Sequence, residues 1–312
     1  MGDIMRVEEA ISKLLNKNPY SKEVSEEISR CEALKVDLIP IGDQRYPVAL
    51  SQISDPPLVL YVVGNETSAM NNFSIAIVGS RMATAYGRAV AAKISAELSK
   101  AGVVIVSGLA HGIDSVAHEE AVKNGLTIGV LGTGIDIIYP RSKAALFQKV
   151  MEKGCLISEF PLGTQPNKWT FPKRNRIIAG LSMGVVVVEA SYKSGSLITA
   201  RLALEAGREV FAVPGSIFSP TSEGTNDLIK HGAKCVSSAE DVLEEFGYVR
   251  RNENKKTSSD PILDALKDGP KTSEEIAMLL SIPIEDINTR LTMFEIDGVI
   301  SKDLMEKFRL NL

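Results

Sequence analysis

The chain has 312 residues, 44% hydrophobic and 24% charged, with a formal net charge of −4. That make-up suits a soluble globular protein with room for more than one domain. It excludes a uniformly basic nucleic-acid binder, so any polyanion site is a local patch on a near-neutral body. Cys31, Cys155 and Cys235 lie far apart without metal-ligand spacing, which points to a reducing compartment and ordinary buried thiols. No apolar signal segment opens the sequence, and the longest apolar run, Ile177 to Val188, is 12 residues, too short to span a bilayer. The expected location is the cytoplasm, with no membrane partner.

Residues 1–72 predict a small N-terminal region. Weakly amphipathic helices over Val7–Leu15 and Lys22–Leu34 lead to an irregular, proline-containing stretch from Pro40 to Gly64. From 73 to 247, short β-branched runs alternate with helical patterns. The predicted strands are Ser74–Val78, Val103–Val106, Thr127–Leu131, Leu156–Glu159, Val185–Glu189, Val210–Val213 and Lys234–Ser237. Most are apolar on both faces, as parallel strands covered by helices on both sides must be. Helix-length segments lie between them, at Ala83–Ala101, Ser115–Asn124, Ser142–Lys153 and Ser196–Ala206, each followed closely by glycine. The pattern predicts a Rossmann-like, doubly wound, mostly parallel α/β sheet.

The polar stretch 248–260 reads as a linker. After it, 261–312 predicts helix, turn, helix and a glycine-led β element, the winged-helix form of the helix-turn-helix. This segment holds six basic and ten acidic residues, a poor composition for a helix meant for a DNA groove, and a protein-contact role suits it better.

Three constellations could carry chemistry. The first predicted strand ends in Gly79-Ser80-Arg81 with a helix close behind, a setting in which free backbone N–H groups and a forked cation suit a phosphate. No acidic residue occurs from Thr67 through Ala96 to neutralise Arg81. An ordinary tight turn with a solvated arginine has the same sequence. No G-x-G-x-x-G fingerprint or P-loop accompanies it, and no cofactor is called for.

The second runs from Gln165 to Arg176 and carries Lys168, Lys173, Arg174 and Arg176 with Trp169 and Phe171, inside an acid-free stretch from Phe160 to Val188. Cations interleaved with aromatics suit single-stranded nucleic acid, whose phosphates need charge and whose unpaired bases need a stacking platform. The alternative is that the aromatics pack inward and the cations are solvated. Lys173-Arg174-Asn175-Arg176 leads into a helix at Ile177–Leu181, near the carboxyl edge where open α/β sheets bind ligands.

The third, His111, Asp114 and His118 with Ser107, invites a metal or acid–base reading. A third firm ligand is not evident, and Gly108 and Gly112 shaping a loop with Asp114 as a cap explains the residues more simply. Two lesser sites are Arg141 after Tyr139-Pro140, and Lys193-Ser194-Gly195-Ser196 at the opening of a helix.

From about Tyr46 to Phe246 these residues resemble the DNA-processing protein A family (DprA, also called Smf). The matching motifs are Asp55-Pro56-Pro57, Ile77-Val78-Gly79-Ser80-Arg81, Ser107 through Asp114, Phe171 through Gly180, Ser194 through Ala200, and Val213-Pro214-Gly215-Ser216. The resemblance implies a non-enzymatic protein that binds single-stranded DNA. It further implies assistance in loading a RecA-type recombinase during uptake and recombination of transforming DNA, and homodimerisation through the Rossmann-like domain. It maps the DNA pocket onto Gly79, Ser80 and Arg81, onto Arg141, and onto Lys168 and Phe171 with Arg174, Asn175 and Arg176. Members often begin with a longer helical domain, whereas about 45 residues precede Tyr46 here.

Two rivals remain. A nucleotide phosphoribohydrolase-like enzyme on a related fold needs a Pro-Gly-Gly-x-Gly-Thr-x-x-Glu run, and this chain separates Pro214-Gly215-Ser216 from Gly224-Thr225. A nucleotide-sensing transcription regulator needs a basic winged helix.

Overall fold

The computed structural model describes residues 6–247, 261–267, 269–296, 299–303 and 307–310; the expected linker 248–260 lies outside them. The chain divides into two compact units, Met1–Val249 and Arg250–Leu312.

The first unit is built on a nine-stranded sheet. Its strands are β1 (Asp37–Pro40), β2 (Val59–Gly64), β3 (Ser74–Val78), β4 (Val104–Ser107), β5 (Thr127–Val130), β6 (Gly154–Ser158), β7 (Gly184–Val187), β8 (Glu209–Ala212) and β9 (Lys234–Cys235). Their order across the sheet is β1-β2-β6-β5-β4-β3-β7-β8-β9. From β6 to β9 all neighbours are parallel, while β2 runs antiparallel to both β1 and β6. The core is therefore the expected doubly wound fold.

The stretch from Pro40 to Gly64, read from sequence as irregular, supplies β2 and joins this sheet. Its residues Val59 to Val62 are buried on both faces, so no polar alternation marks the strand, and the prolines before it hide the run. Cys235 also departs from expectation: it is exposed, while Cys31 and Cys155 are buried.

The helices are α1 (Val7–Leu15), α2 (Lys22–Ala33), α3 (Val48–Ser51), α4 (Ala85–Lys100), α5 (Ile113–Asn124), α6 (Ala144–Glu152), α7 (Thr170–Leu181), α8 (Gly195–Glu205), α9 (Glu223–Lys230) and α10 (Ala239–Glu245). Strand alternation sorts the core into layers. In β3, Ile75 and Ile77 pack with Ile94 and Leu98 of α4 and Ile113 of α5, whereas Ala76 and Val78 pack with Ile177 and Ile178 of α7 and Ala200 of α8. Burying each isoleucine contributes about 1.5–3 kcal/mol. A third cluster joins α1, α2 and α6 through Ile11, Val24 and Phe147.

Among its described residues the second unit has the helices α11 (Pro261–Lys267), α12 (Ser273–Leu280) and α13 (Ile284–Ile296), then strands β10 (Ile300–Lys302) and β11 (Phe308–Leu310) paired antiparallel. Thr272 and Glu275 form a capping box that starts α12. Ile262, Ile276, Ile287, Leu291 and Ile300 make its own small core. Helices followed by a two-stranded ribbon are consistent with a winged-helix-like domain.

Candidate nucleic-acid interface

Chain order reverses between β3 and β7: β4, β5 and β6 extend to one side of β3, and β8 and β9 lie beyond β7. Outside the carboxyl ends of strands at such a switch point a crevice opens. Here it is a cleft of about 460 Å³, lined by Gly79, Ser80 and Arg81 after β3, by Asp114 of α5, by Lys168, Phe171, Arg174 and Asn175 of the α7 region, and by Ser191, Ser194, Gly195, Ser196, Ile198 and Thr199 after β7. Seven of the sequence-derived site residues, Gly79, Ser80, Arg81, Lys168, Phe171, Arg174 and Asn175, thus converge from two separate segments, and Ser194 to Ser196 join them from a third.

The α7 helix explains how one cationic run serves two purposes. Its start lies at Thr170, not Ile177, so the whole run 173–176 is helical. At about 100° per residue, Phe171, Arg174, Asn175 and Ile178 share one face, and all four line the cleft. Lys173 and Arg176 fall on another face. Arg176 binds Glu159 at 2.6 Å and Asp55 at 3.0 Å, and Lys173 lies 3.5 Å from the same Glu159. These two cations brace the helix and do not line the cleft. Burial raises the Glu159 carboxyl above its ordinary range, with Arg176 and Lys173 opposing the shift.

Arg174 is only 4% exposed. Its guanidinium donates to the carbonyls of Gly108 and Val130, which lie at the carboxyl ends of β4 and β5, and its Nε donates to Asn175 Oδ1 at 3.1 Å. A Cβ on Gly108 would sit 2.3 Å from the guanidinium, so a larger residue there would have to shift Arg174. Burial pulls the Arg174 pKa down to about 10, with Asp114 opposing the shift, so it stays cationic at neutral pH. Asp114 is buried and shifted upward by desolvation, with Arg174 holding it down, and it accepts from Gly108 N at 3.2 Å.

The loop after β3 is organised differently from expectation. Its helix, α4, begins at Ala85 and is capped by Thr84, so Gly79–Arg81 do not form a helix N-terminus. The Ser80 N–H is taken by the Glu189 carbonyl at 2.8 Å, and the Glu189 carboxylate accepts from Thr84 N and Oγ1 at 2.9 and 2.5 Å. Gly112, at φ +77°, approaches the Ser80 carbonyl so closely that a Cβ would lie 2.1 Å from its oxygen. The loop is thereby fixed and presents Arg81 outward. The helix N-terminus that does reach the cleft belongs to α8, through Ser194, Gly195 and Ser196, with no acidic residue in its first turn. Asn175 Nδ2 reaches the Gly195 carbonyl at 3.4 Å and ties α7 to α8.

The rim is aromatic and cationic. Arg81 lies over the Phe171 ring at 5.3 Å, and the Tyr139 ring is tilted at 5.7 Å from Phe171. Lys168 lies over Trp169 at 5.1 Å, and Trp169 is 72% exposed rather than packed inward. Arg141, two residues beyond Tyr139, is exposed at that end of the rim and does not line the cleft itself.

The third constellation does not assemble: His111 is exposed, Asp114 lies at the cleft floor, and Ser107 and His118 are buried in the scaffold. His118 is fully buried, its Nδ1 2.7 Å from Thr127 Oγ1, and burial lowers its pKa to about 3. Among the described residues no group of three metal-ligating side chains comes together. Cleft residues that sequence reasoning left out include Ser191, Ile178 and Thr199. Thr199 could have been found from Ser196, one helical turn before it, and Ile178 from Phe171 at i+7.

The DNA recombination-mediator protein A family matches residues 37–247. The chain is 50% identical over 212 residues to the DNA processing protein DprA of Bacillus subtilis, covering 68% of this chain and 71% of that one. It is 34% identical over 341 residues to the Smf protein of a Synechocystis species, covering 95% and 84%. Among solved structures it resembles DNA processing protein A of Streptococcus pneumoniae, at TM-score 0.67 and 44% identity, covering 72% of this chain and 77% of that one. It also resembles DNA processing protein A of Helicobacter pylori, whose structure addresses its single-stranded DNA binding mode, at TM-score 0.62 and 32% identity, covering 68% and 95%. With that match over two-thirds of its length, and a switch-point cleft built from the very motifs that carry the likeness, the chain belongs to the DNA recombination-mediator protein A family.

Proposed function

We propose that the switch-point cleft and its rim hold single-stranded DNA and that the protein delivers the strand to a RecA-type recombinase in transformation and recombination, acting in the cytoplasm as a homodimer without a reaction of its own. The observation that carries the DNA reading is the Phe171 ring at the cleft rim with Arg81 over it and Tyr139 close by, and exposed Lys168 and Trp169 in the same segment. Arg81 and Lys168 meet phosphates. Phe171 and Trp169 stack bases, each stack contributing about 1–3 kcal/mol. Gly79 and Ser80 set the loop, and Arg174 with Asn175 holds the floor. Arg141 extends the cationic rim, while Lys173 and Arg176 act through the brace to Glu159. The single-strand binding addressed for the Helicobacter pylori relative supports the assignment. Asp114, the carboxylate at the cleft, lies bonded to backbone beside a cation, which suits a floor rather than a general base. Two clefts in a dimer would engage one strand with raised avidity.

The test is fluorescence-anisotropy titration of single-stranded and duplex oligonucleotides with wild type and the Arg81→Ala/Lys168→Ala variant. The expected result is single-strand preference that weakens with salt, and in the variant a slope of log K against log salt shallower by about 1.4, two phosphates at about 0.7 each. Absence of single-strand binding in the wild type overturns the function, and an unchanged variant overturns the site.

A further inference from the structure

We propose that the bound strand continues beyond the cleft onto the turn that follows β8, where Phe218 stacks an additional base; this rests on the single-strand reading of the cleft. The turn leaves the same carboxyl edge, since β8 is the parallel neighbour of β7, about 5 Å away in the sheet. Its tip presents Ile217 and Phe218, 82% and 90% exposed. Tyr192, in the loop after β7 that also supplies Ser191 and Ser194 to the cleft, is likewise exposed, so an apolar path adjoins the cleft wall.

The stems of this turn are firmly held while its tip is bare. Tyr86 Oη donates to the Pro214 carbonyl at 2.8 Å, and Gly215 and Asn226 exchange hydrogen bonds of 3.2 and 3.0 Å. Ser219 N donates to the Ser216 carbonyl at 3.0 Å, and Phe218 N to Ser216 Oγ at 3.2 Å. The held stems fix the turn from which the exposed Phe218 ring is offered.

Charge selects the occupant. No acidic residue occurs from Ala190 through Leu204 or from Val210 through Ser222, and the exposed Lys193 lies in the first of these segments. An aromatic tip in an acid-free segment, with a cation in the neighbouring acid-free loop, matches the chemistry already present at Phe171 and Arg81. A strand leaving the cleft would place a phosphate near Lys193 and a base on Phe218, whose ring face accepts any base.

The experiment is an oligothymidylate length series measured by anisotropy for wild type, Phe218→Ala and Arg81→Ala, with light scattering to record oligomeric state. Phe218 is so exposed that its truncation leaves folding intact. The expected result is equal affinity of Phe218→Ala and wild type for the shortest oligomers, then divergence beyond a threshold length, the variant binding about 5- to 150-fold more weakly. Arg81→Ala should weaken every length. Equal affinities of Phe218→Ala and wild type throughout the series would overturn the extended path while leaving the cleft intact. A shift of Phe218→Ala to a smaller oligomer without the length-dependent loss would overturn it in favour of a second copy of the chain on the turn. Failure of wild type at all lengths would remove the cleft reading and this inference together.

Discussion

Replacing Arg174 with methionine separates a residue that builds the cleft from one that meets its ligand. The substitution keeps much of the volume and removes a buried cation that donates to two strand-end carbonyls, those of Gly108 and Val130. Each of the two carbonyls left without a donor costs about 1–3 kcal/mol, and the buried Asp114 loses the cation that holds its pKa down. These terms describe overlapping events and do not add in full, so a loss of about 3–5 kcal/mol is expected at neutral pH. For a unit of this size that corresponds to a fall in Tm of roughly 6–20 °C. Asp114 gives the loss a pH signature. Its folded pKa is raised by burial and held down by Arg174, so the variant raises it further. A carboxyl with a raised folded pKa contributes stability below its unfolded pKa and loses it as pH rises through the folded value. The deficit of Arg174→Met should therefore narrow as pH falls toward 4, and adding Asp114→Asn should recover part of it at neutral pH. Urea denaturation of the single and double variants across that range is the assay. A deficit within roughly 1 kcal/mol at neutral pH, or one that stays constant with pH, would refute the account.

Gly112→Ala should destabilise by about 1–3 kcal/mol and also weaken single-strand binding, because its Cβ would press on the Ser80 carbonyl and displace Arg81; melting and anisotropy on the same preparation check both. Arg176→Met should lower stability by about 1–3 kcal/mol, since the buried Glu159 keeps Lys173 but loses its shorter partner, yet leave the salt slope of DNA binding unchanged, as should Lys173→Ala. A slope shallower by about 0.7 in either would make that cation a phosphate contact. His118 has a folded pKa of about 3 against an unfolded value near 6.5, so the unfolded state binds the extra proton as pH falls between them. Stability should drop by up to about 1.4 kcal/mol per pH unit in that window, and urea midpoints of His118→Asn should show a shallower dependence.

Much of this was legible in the sequence because the parallel strands are continuous apolar runs and the glycine-led turns punctuate them. The residues after β3 and in α7 were found from the glycine-serine turn, from cations interleaved with aromatics and from the acid-free surround, all of them properties of the string itself. What stayed hidden depends on where side chains point. The cations at 173, 174 and 176 look equivalent in a string, but the early start of α7 rotates 174 into the floor and turns 173 and 176 toward Glu159. Pro172 in the first turn of that helix masks its beginning, although a first turn tolerates proline. Likewise β2 pairs antiparallel with β6 across a long sequence separation, and no local pattern announces it.

The electrostatics then resolve an apparent conflict between a net charge of −4 and a polyanionic ligand. Residues 261–312 carry that same −4 by themselves, so the first 260 residues are balanced overall. Within the balanced part, the acids nearest the carboxyl edge are turned onto their own scaffold. Glu189 holds Thr84, Glu159 holds Arg176 and Lys173, and Asp136 accepts from Gly163 N at 2.8 and 3.0 Å. Arg81 and Lys168 instead lie over aromatic rings. At physiological ionic strength the Debye length is about 8 Å, so exposed acids farther off exert little force on a phosphate at the rim. What the strand meets is therefore decided by which local charges remain uncompensated, and on this edge they are positive and placed beside ring faces.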